Sequence, residues 1–247
     1  MKAVLVSSFS ELYDAVTPGS QPVVFRGDVD AAQALVPHLG RTDCDVETEV
    51  QLFREWQRQA VQFLDLPADD WDCLTIARHY GLATRLLDWT INPLVAAFFA
   101  AASNRPGPAA LWVFIPRRTV TDGDTDPFTF AGVALYRPRA LAARISRQEA
   151  VFTVHGPPSE PVSEAHGGLY RVDIDSAFRP VLLKDLARFG ISYASMFPGL
   201  EGLSRAINWQ YGLDRLQTAE ANPAGAGQKL PPGGDPLPGL RPGLGRH

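Results

Sequence analysis

Ten residues constrain this chain more than any others: Pro93–Ala102, PLVAAFFAAA, in which no side chain is charged or forms hydrogen bonds. A helix that is apolar nearly all round belongs in the centre of a domain, not on its surface. Asn92 stands in front of it as a capping residue. Pro93 takes the first helical position, where its missing N–H is no loss. The segment is too short to span a bilayer, which needs about 18 or more apolar residues, and no such run occurs elsewhere in the chain. The fold is therefore expected to be built around this helix.

Immediately before it the sequence crowds polar groups: His79, Tyr80, Thr84, Arg85, Asp88, Trp89 and Thr90. A buried polar group without a partner costs about 1–3 kcal/mol. Such a cluster is either hydrogen-bonded inside the fold or lines a cleft. On the first reading Arg85 and Asp88 form an internal ion pair and Thr90 caps the helix. On the second these side chains face a ligand. Both readings stand at this point.

The pattern predicts helices over Ser10–Ala15 with Ser10 as cap, Val46–Leu64, Trp71–Tyr80, Pro93–Ala102, Pro180–Phe189 and Leu200–Trp209. It predicts strands at Pro22–Phe25, Ala110–Ile115, Ala150–His155 and Leu169–Ile174, and a strand or extended turn at Arg85–Trp89. Helices and strands mix without a regular βαβ alternation, so the fold class is α+β. Residues 1–217 read as one domain. Residues 218–247 read as a disordered tail, because Asn222–His247 holds six Pro and seven Gly and no aromatic residue.

Charge and motifs exclude several functions. The net charge of −4 argues against bulk nucleic acid as a partner. There is no P-loop, no GxGxxG, no HExxH and no GxSxG. The acidic run Asp122–Asp126 lacks the ligand pattern of a calcium loop and reads as a solvated turn. His155 and His166 read as surface histidines, and no metal is expected. Cys44 and Cys73 are not spaced as a CxxC pair and read as small buried hydrophobes. The N-terminal residues lack a long apolar core, so a soluble cytoplasmic protein with no membrane partner is expected.

Three places carry positive signals. Phe25-Arg26-Gly27 ends a short strand; Arg26 offers a planar fork of donors for phosphate or carboxylate, and Gly27 would let a ligand approach the backbone. The segment from His79 to Thr90 is the second. Gln148-Glu149-Ala150-Val151-Phe152 enters a strand, where a carboxylate could orient a ribose hydroxyl or stabilise a developing cation. Together they resemble the FRG domain family, named for its Phe-Arg-Gly tripeptide. Ala77–Gly81 with Thr84–Thr90 is similar to that family's central signature, Gln148–Phe152 to its later strand, and Phe197–Gly202 to its C-terminal turn.

A more distant resemblance is to the ADP-ribosyltransferase pattern, in which an Arg-Gly strand, a Ser-Thr-Ser strand before an Asn-Pro helix, and a later Glu act on NAD. That resemblance implies mixed helices around a small split β-sheet. It places Arg26 and Gly27 at the dinucleotide and Thr90 and Glu149 at the reacting ribose; His79, Tyr80, Arg85 and Asp88 are further candidate contacts of a bound nucleotide. With Gln148 as the first residue of a Glu-x-Glu element, the second acid position falls on Ala150. Glu149 takes that role only with a one-residue shift of register. The resemblance implies cleavage of NAD, with transfer to a protein target or hydrolysis. The other reading is a non-catalytic module for a nucleotide-like or phosphorylated small molecule, acting as an effector or sensor in bacterial defence.

Overall fold

The computed structural model describes residues 2–17, 22–102, 107, 109–121, 123–139 and 143–213. The expected tail, 218–247, lies outside them. In chain order the elements are β1 (Lys2–Val6), α1 (Phe9–Ala15), β2 (Val24–Asp28), a 3-10 turn (Leu39–Arg41), α2 (Val46–Ala60) and α3 (Asp70–His79). There follow β3 (Leu86–Thr90), α4 (Pro93–Ala101), β4 (Ala109–Pro116), β5 (Gly132–Tyr136), α5 (Ala143–Arg147) and β6 (Ala150–Gly156). The last are β7 (Gly167–Ile174), α6 (Arg179–Arg188), α7 (Tyr193–Met196) and α8 (Leu200–Gln210). The class is α+β, and among the described residues no helix is long and apolar enough to cross a membrane.

The strands form one sheet in the order β1-β7-β4-β2-β3-β6-β5. β1 is parallel to β7, and every other neighbouring pair is antiparallel. The joint between β2 and β3 differs from the rest. It has one ladder position, Phe25 opposite Thr90, where β2 and β4 share five and β3 and β6 share five. The sheet is thus split into a four-stranded and a three-stranded half along a seam between β2 and β3.

α4 lies on the four-stranded half, with Val95, Ala96, Ala97, Phe98, Ala100 and Ala101 all buried. Asn92 accepts from the Leu94 N–H and Pro93 opens the helix, as the sequence leads one to expect. Its alanines are strong helix formers and also thin, so its backbone approaches β2 closely. α1 and α6 pack on the same half, while α2 and α3 cover the three-stranded half through Phe53, Trp71 and Leu74. Ser8, not Ser10, caps α1. α2 stops at Ala60, leaving Phe63, expected on its packing face, 80% exposed.

The opposite sheet face holds a buried polar chain that corrects the reading of His155 as a surface residue: it is fully buried. The Trp89 indole N–H donates to Thr153 Oγ1 at 3.0 Å, and Thr153 Oγ1 lies 2.8 Å from His155 Nε2. His155 Nδ1 lies 2.6 Å from the Glu160 carbonyl. A carbonyl only accepts, so Nδ1 carries the proton and Nε2 accepts from Thr153. Every partner is matched by the neutral ring, and burial pushes the His155 pKa down to about 4. The unfolded chain takes up this proton below its ordinary value of 6.5, whereas the folded one resists down to about 4. Stability is therefore lost as pH falls through that window, by roughly 2 kcal/mol between about pH 7.5 and about pH 5 from this group. Urea unfolding at the two pH values should show that slope, and His155→Gln should flatten it. An unchanged slope in the variant would mean the ring is protonated in the fold.

Candidate functional site

The seam is where polar chemistry gathers. With a single ladder position between β2 and β3, the carbonyl of Asp88 needs a donor from elsewhere. Arg26 provides it, its Nη1 donating to Asp88 O at 2.9 Å. The same guanidinium lies 3.5 Å from Asp28 Oδ2 and 3.9 Å from Asp88 Oδ2. Arg78, from the last turn of α3, donates its Nη2 to Asp88 Oδ2 at 2.5 Å. Gln33, with its amide nitrogen 3.2 Å from Asp28 Oδ1 and its oxygen 2.7 Å from Arg41 Nη2, extends the cluster to a third arginine.

The cluster sets three arginines, Arg26, Arg78 and Arg41, against two carboxylates, Asp28 and Asp88. Burial and the nearby charges of Arg78 and Arg41 act against the Arg26 charge more than Asp88 and Asp28 support it, so its pKa is held below the ordinary arginine value. Burial raises the Asp88 carboxyl, but the charges of Arg78 and Arg26 prevail and hold it below the usual carboxylate range. Arg26 Nε and Arg78 Nε are both buried with no hydrogen-bond partner among the described residues. Two idle donors beside incompletely balanced cations are the local chemistry of an anion site.

A second cluster sits where β3 runs into α4. Thr90 Oγ1 donates to the Gln148 carbonyl at 2.7 Å and accepts from the Asn92 N–H at 3.1 Å. Asn92 Nδ2 donates to Glu149 Oε1 at 2.8 Å, and Gln148 Nε2 donates to the Met196 carbonyl at 3.0 Å. Glu149 has φ of +46°, a left-handed turn that ends just before β6 begins. Its side chain is exposed, and Ala150 is the residue set opposite Thr90 in the ladder.

The residues expected to converge thus fall into two groups. Phe25, not Arg26, stands opposite Thr90, so alternation along β2 directs Arg26 to the other sheet face. Arg26 and Asp88 share the seam; Thr90 and Glu149 share the entry to α4. Arg85 belongs to neither. It is 1% exposed and pairs with Glu49 rather than Asp88, so the expected Arg85–Asp88 pair is replaced by two others and Arg85 is out of a ligand's reach. Gly27 is closed to a ligand on the α4 side, because the helix backbone fills the space where a Cβ would stand. Tyr80 is 66% exposed, with its ring edge-on to His79 at 4.9 Å.

From the last turn of α3, Arg78 enters the seam. The other residues that sequence reasoning missed lie on the Arg26 face. Arg26, Trp112 and Arg171 form one row across β2, β4 and β7, and Asp28, Ala110 and Asp173 form the next. Arg171 pairs with Asp173 at 2.7 Å and lies 5.7 Å over the Trp112 ring.

Comparison with family models matches residues 21–107 to the FRG domain. The match holds β2, α3, β3 and α4, and with them Arg26, Arg78, Asp88 and Thr90; β6 and Glu149 lie beyond it. No curated protein and no solved structure matches the chain.

Proposed function

We propose that this FRG-domain chain binds a phosphate-bearing small molecule of the nucleotide class at the seam between β2 and β3. The observation that carries the reading is the pair Arg26 and Arg78 sharing Asp88, each with a buried Nε that lacks a partner. An arriving phosphate would accept from those donors and complete the neutralisation that Asp88 and Asp28 leave unfinished. Guanidinium forks suit phosphate oxygens in geometry as well as charge. The ligand needs no metal to be held.

A second reading, cleavage of NAD at the glycosidic bond, is favoured by one observation. The strands carrying Arg26-Gly27, Asp88–Thr90 and the run after Glu149 are neighbours in the sheet, β2-β3-β6. Glu149 would then be the carboxylate that stabilises positive charge on the ribose. Its role would require it to leave Asn92 and turn toward the seam.

Calorimetric titration with ADP-ribose, NAD+ and inorganic phosphate tests both. We expect saturable binding of ADP-ribose that falls at least about tenfold in Arg26→Gln, as for one lost charge-assisted contact. Asp88→Asn, which removes a resident negative charge while keeping its shape, should strengthen binding. Unaltered affinity in Arg26→Gln would overturn the anion site. Nicotinamide release from NAD+ that disappears in Glu149→Gln would promote the second reading over a module that only binds.

A further inference from the structure

The row Arg26, Trp112 and Arg171 runs on from the seam into a cavity of about 330 Å³, walled by Ala31, Gln33, Leu35, Trp112, Val162 and Arg171. That size falls within the range of small-molecule sites, about 300–1,000 Å³. From this arrangement we infer that the cavity takes the planar, uncharged heterocycle of the ligand whose phosphate lies on Arg26 and Arg78. The Trp112 indole N–H would donate to an acceptor on that ring. The inference rests on the anion reading and specifies the other half of its ligand.

Three observations carry it. Trp112 is 5% exposed, yet its Nε1 has no hydrogen-bond partner among the described residues. An indole N–H only donates, so the group that would satisfy it must bring an acceptor. The second is charge. Arg171 is matched by Asp173 at 2.7 and 3.0 Å, and its Nη1 donates to the Ala31 carbonyl at 3.0 Å. Arg171, the one cation among the described residues that line the cavity, is thus ion-paired, which suits a neutral group there. The third is continuity. Gln33 lines the cavity and also binds Asp28, which in turn faces Arg26. Phosphate site and cavity share that wall, so one molecule can reach both. The neighbouring alanines at 31, 32 and 34 leave that wall without bulky side chains.

The test uses the full chain and compares AMP, UMP and adenosine with ribose 5-phosphate and inorganic phosphate by calorimetry. At least one of the nucleotides should bind at least about tenfold tighter than ribose 5-phosphate, the gain from seating its ring. Trp112→Phe should shrink that gap several-fold while leaving ribose 5-phosphate affinity unchanged. Ala34→Trp, at an exposed wall position, should close the gap by filling the cavity and guards against misfolding of the first variant. Arg26→Gln should weaken all the phosphates alike. If every nucleotide binds no better than ribose 5-phosphate, or if both cavity variants keep the gap, the inference is wrong and the anion site stands. If no phosphate compound binds, the anion site falls instead, and adenosine binding sensitive to Ala34→Trp would leave the cavity as a site of its own.

Discussion

Glu49→Ala is expected to lower stability by about 3–5 kcal/mol, the effect of leaving a buried charge without its partner. Glu49 and Arg85 are 3% and 1% exposed, and they meet in a two-pronged fork, Nε to Oε1 at 2.9 Å and Nη2 to Oε2 at 2.5 Å. Arg85 Nη1 also donates to the carbonyls of Pro127 at 2.8 Å and Phe128 at 3.2 Å. One guanidinium therefore ties α2, the entry to β3 and the chain before β5 together. Without Glu49 the positive charge stays in the core with the Pro127 and Phe128 carbonyls and the Phe128 ring near it but no described carboxylate paired to it. A thermal melt should fall by about 6–20 °C, at roughly 2–4 °C per kcal/mol for a chain of this size. Glu55→Ala, on the same helix but in an exposed pair with Arg58, should change little and serves as the control. Glu49→Leu combined with Arg85→Met should recover much of the loss, because an apolar pair needs no desolvation of charge. A shift in Glu49→Ala no larger than in Glu55→Ala would show that Arg85 escapes to water.

That pair also shows where sequence reading stopped. Glu49 and Arg85 are separated by 36 residues, and nothing local marks either as the other's partner. The short distance from Arg85 to Asp88 in sequence made them the obvious pair, yet Arg85 precedes β3 while Asp88 lies within it and faces the seam. Arg78 was hidden by its place in the last turn of α3, where a basic residue is expected for the helix dipole alone. By contrast α4 was legible because its cap, its proline and its apolar run agree with one another. β1 and β5 were not, since Lys2–Val6 and Gly132–Tyr136 are short and lack alternation strong enough to stand out. One signal was present and went unused. Arg26 with Asp28 and Arg171 with Asp173 are charged pairs two residues apart in otherwise apolar strands, and a period of two puts each pair on one sheet face. His155 carried the same signal, two residues after Thr153 in an otherwise apolar strand.

Gly27→Ala should be nearly as damaging as the loss of Glu49, and for a reason unrelated to ligand. A Cβ on Gly27 would stand 1.9 Å from the Ala96 carbonyl oxygen and 2.5 Å from the Ala100 nitrogen. Both are backbone atoms of α4, the helix that packs on this half of the sheet, so no rotamer change relieves the clash and the helix must lift. Overpacking of this kind costs roughly 3 kcal/mol or more where neighbours cannot yield, a fall in melting temperature of about 6–12 °C. The sequence alone offered another role for Gly27, an opening through which a ligand nears the backbone. The two roles separate cleanly. If Gly27 serves packing, Gly27→Ala melts early with or without ADP-ribose, and trimming the helix by Ala96→Gly or Ala100→Gly gives no rescue, because the colliding atoms remain. If Gly27 serves ligand approach, the variant keeps the parent melting temperature and loses only affinity. The α4 backbone already occupies the space in question, so the first outcome is the one to expect, and the family's Phe-Arg-Gly tripeptide then divides its labour: Phe25 and Gly27 seat the central helix, and Arg26 between them faces the seam.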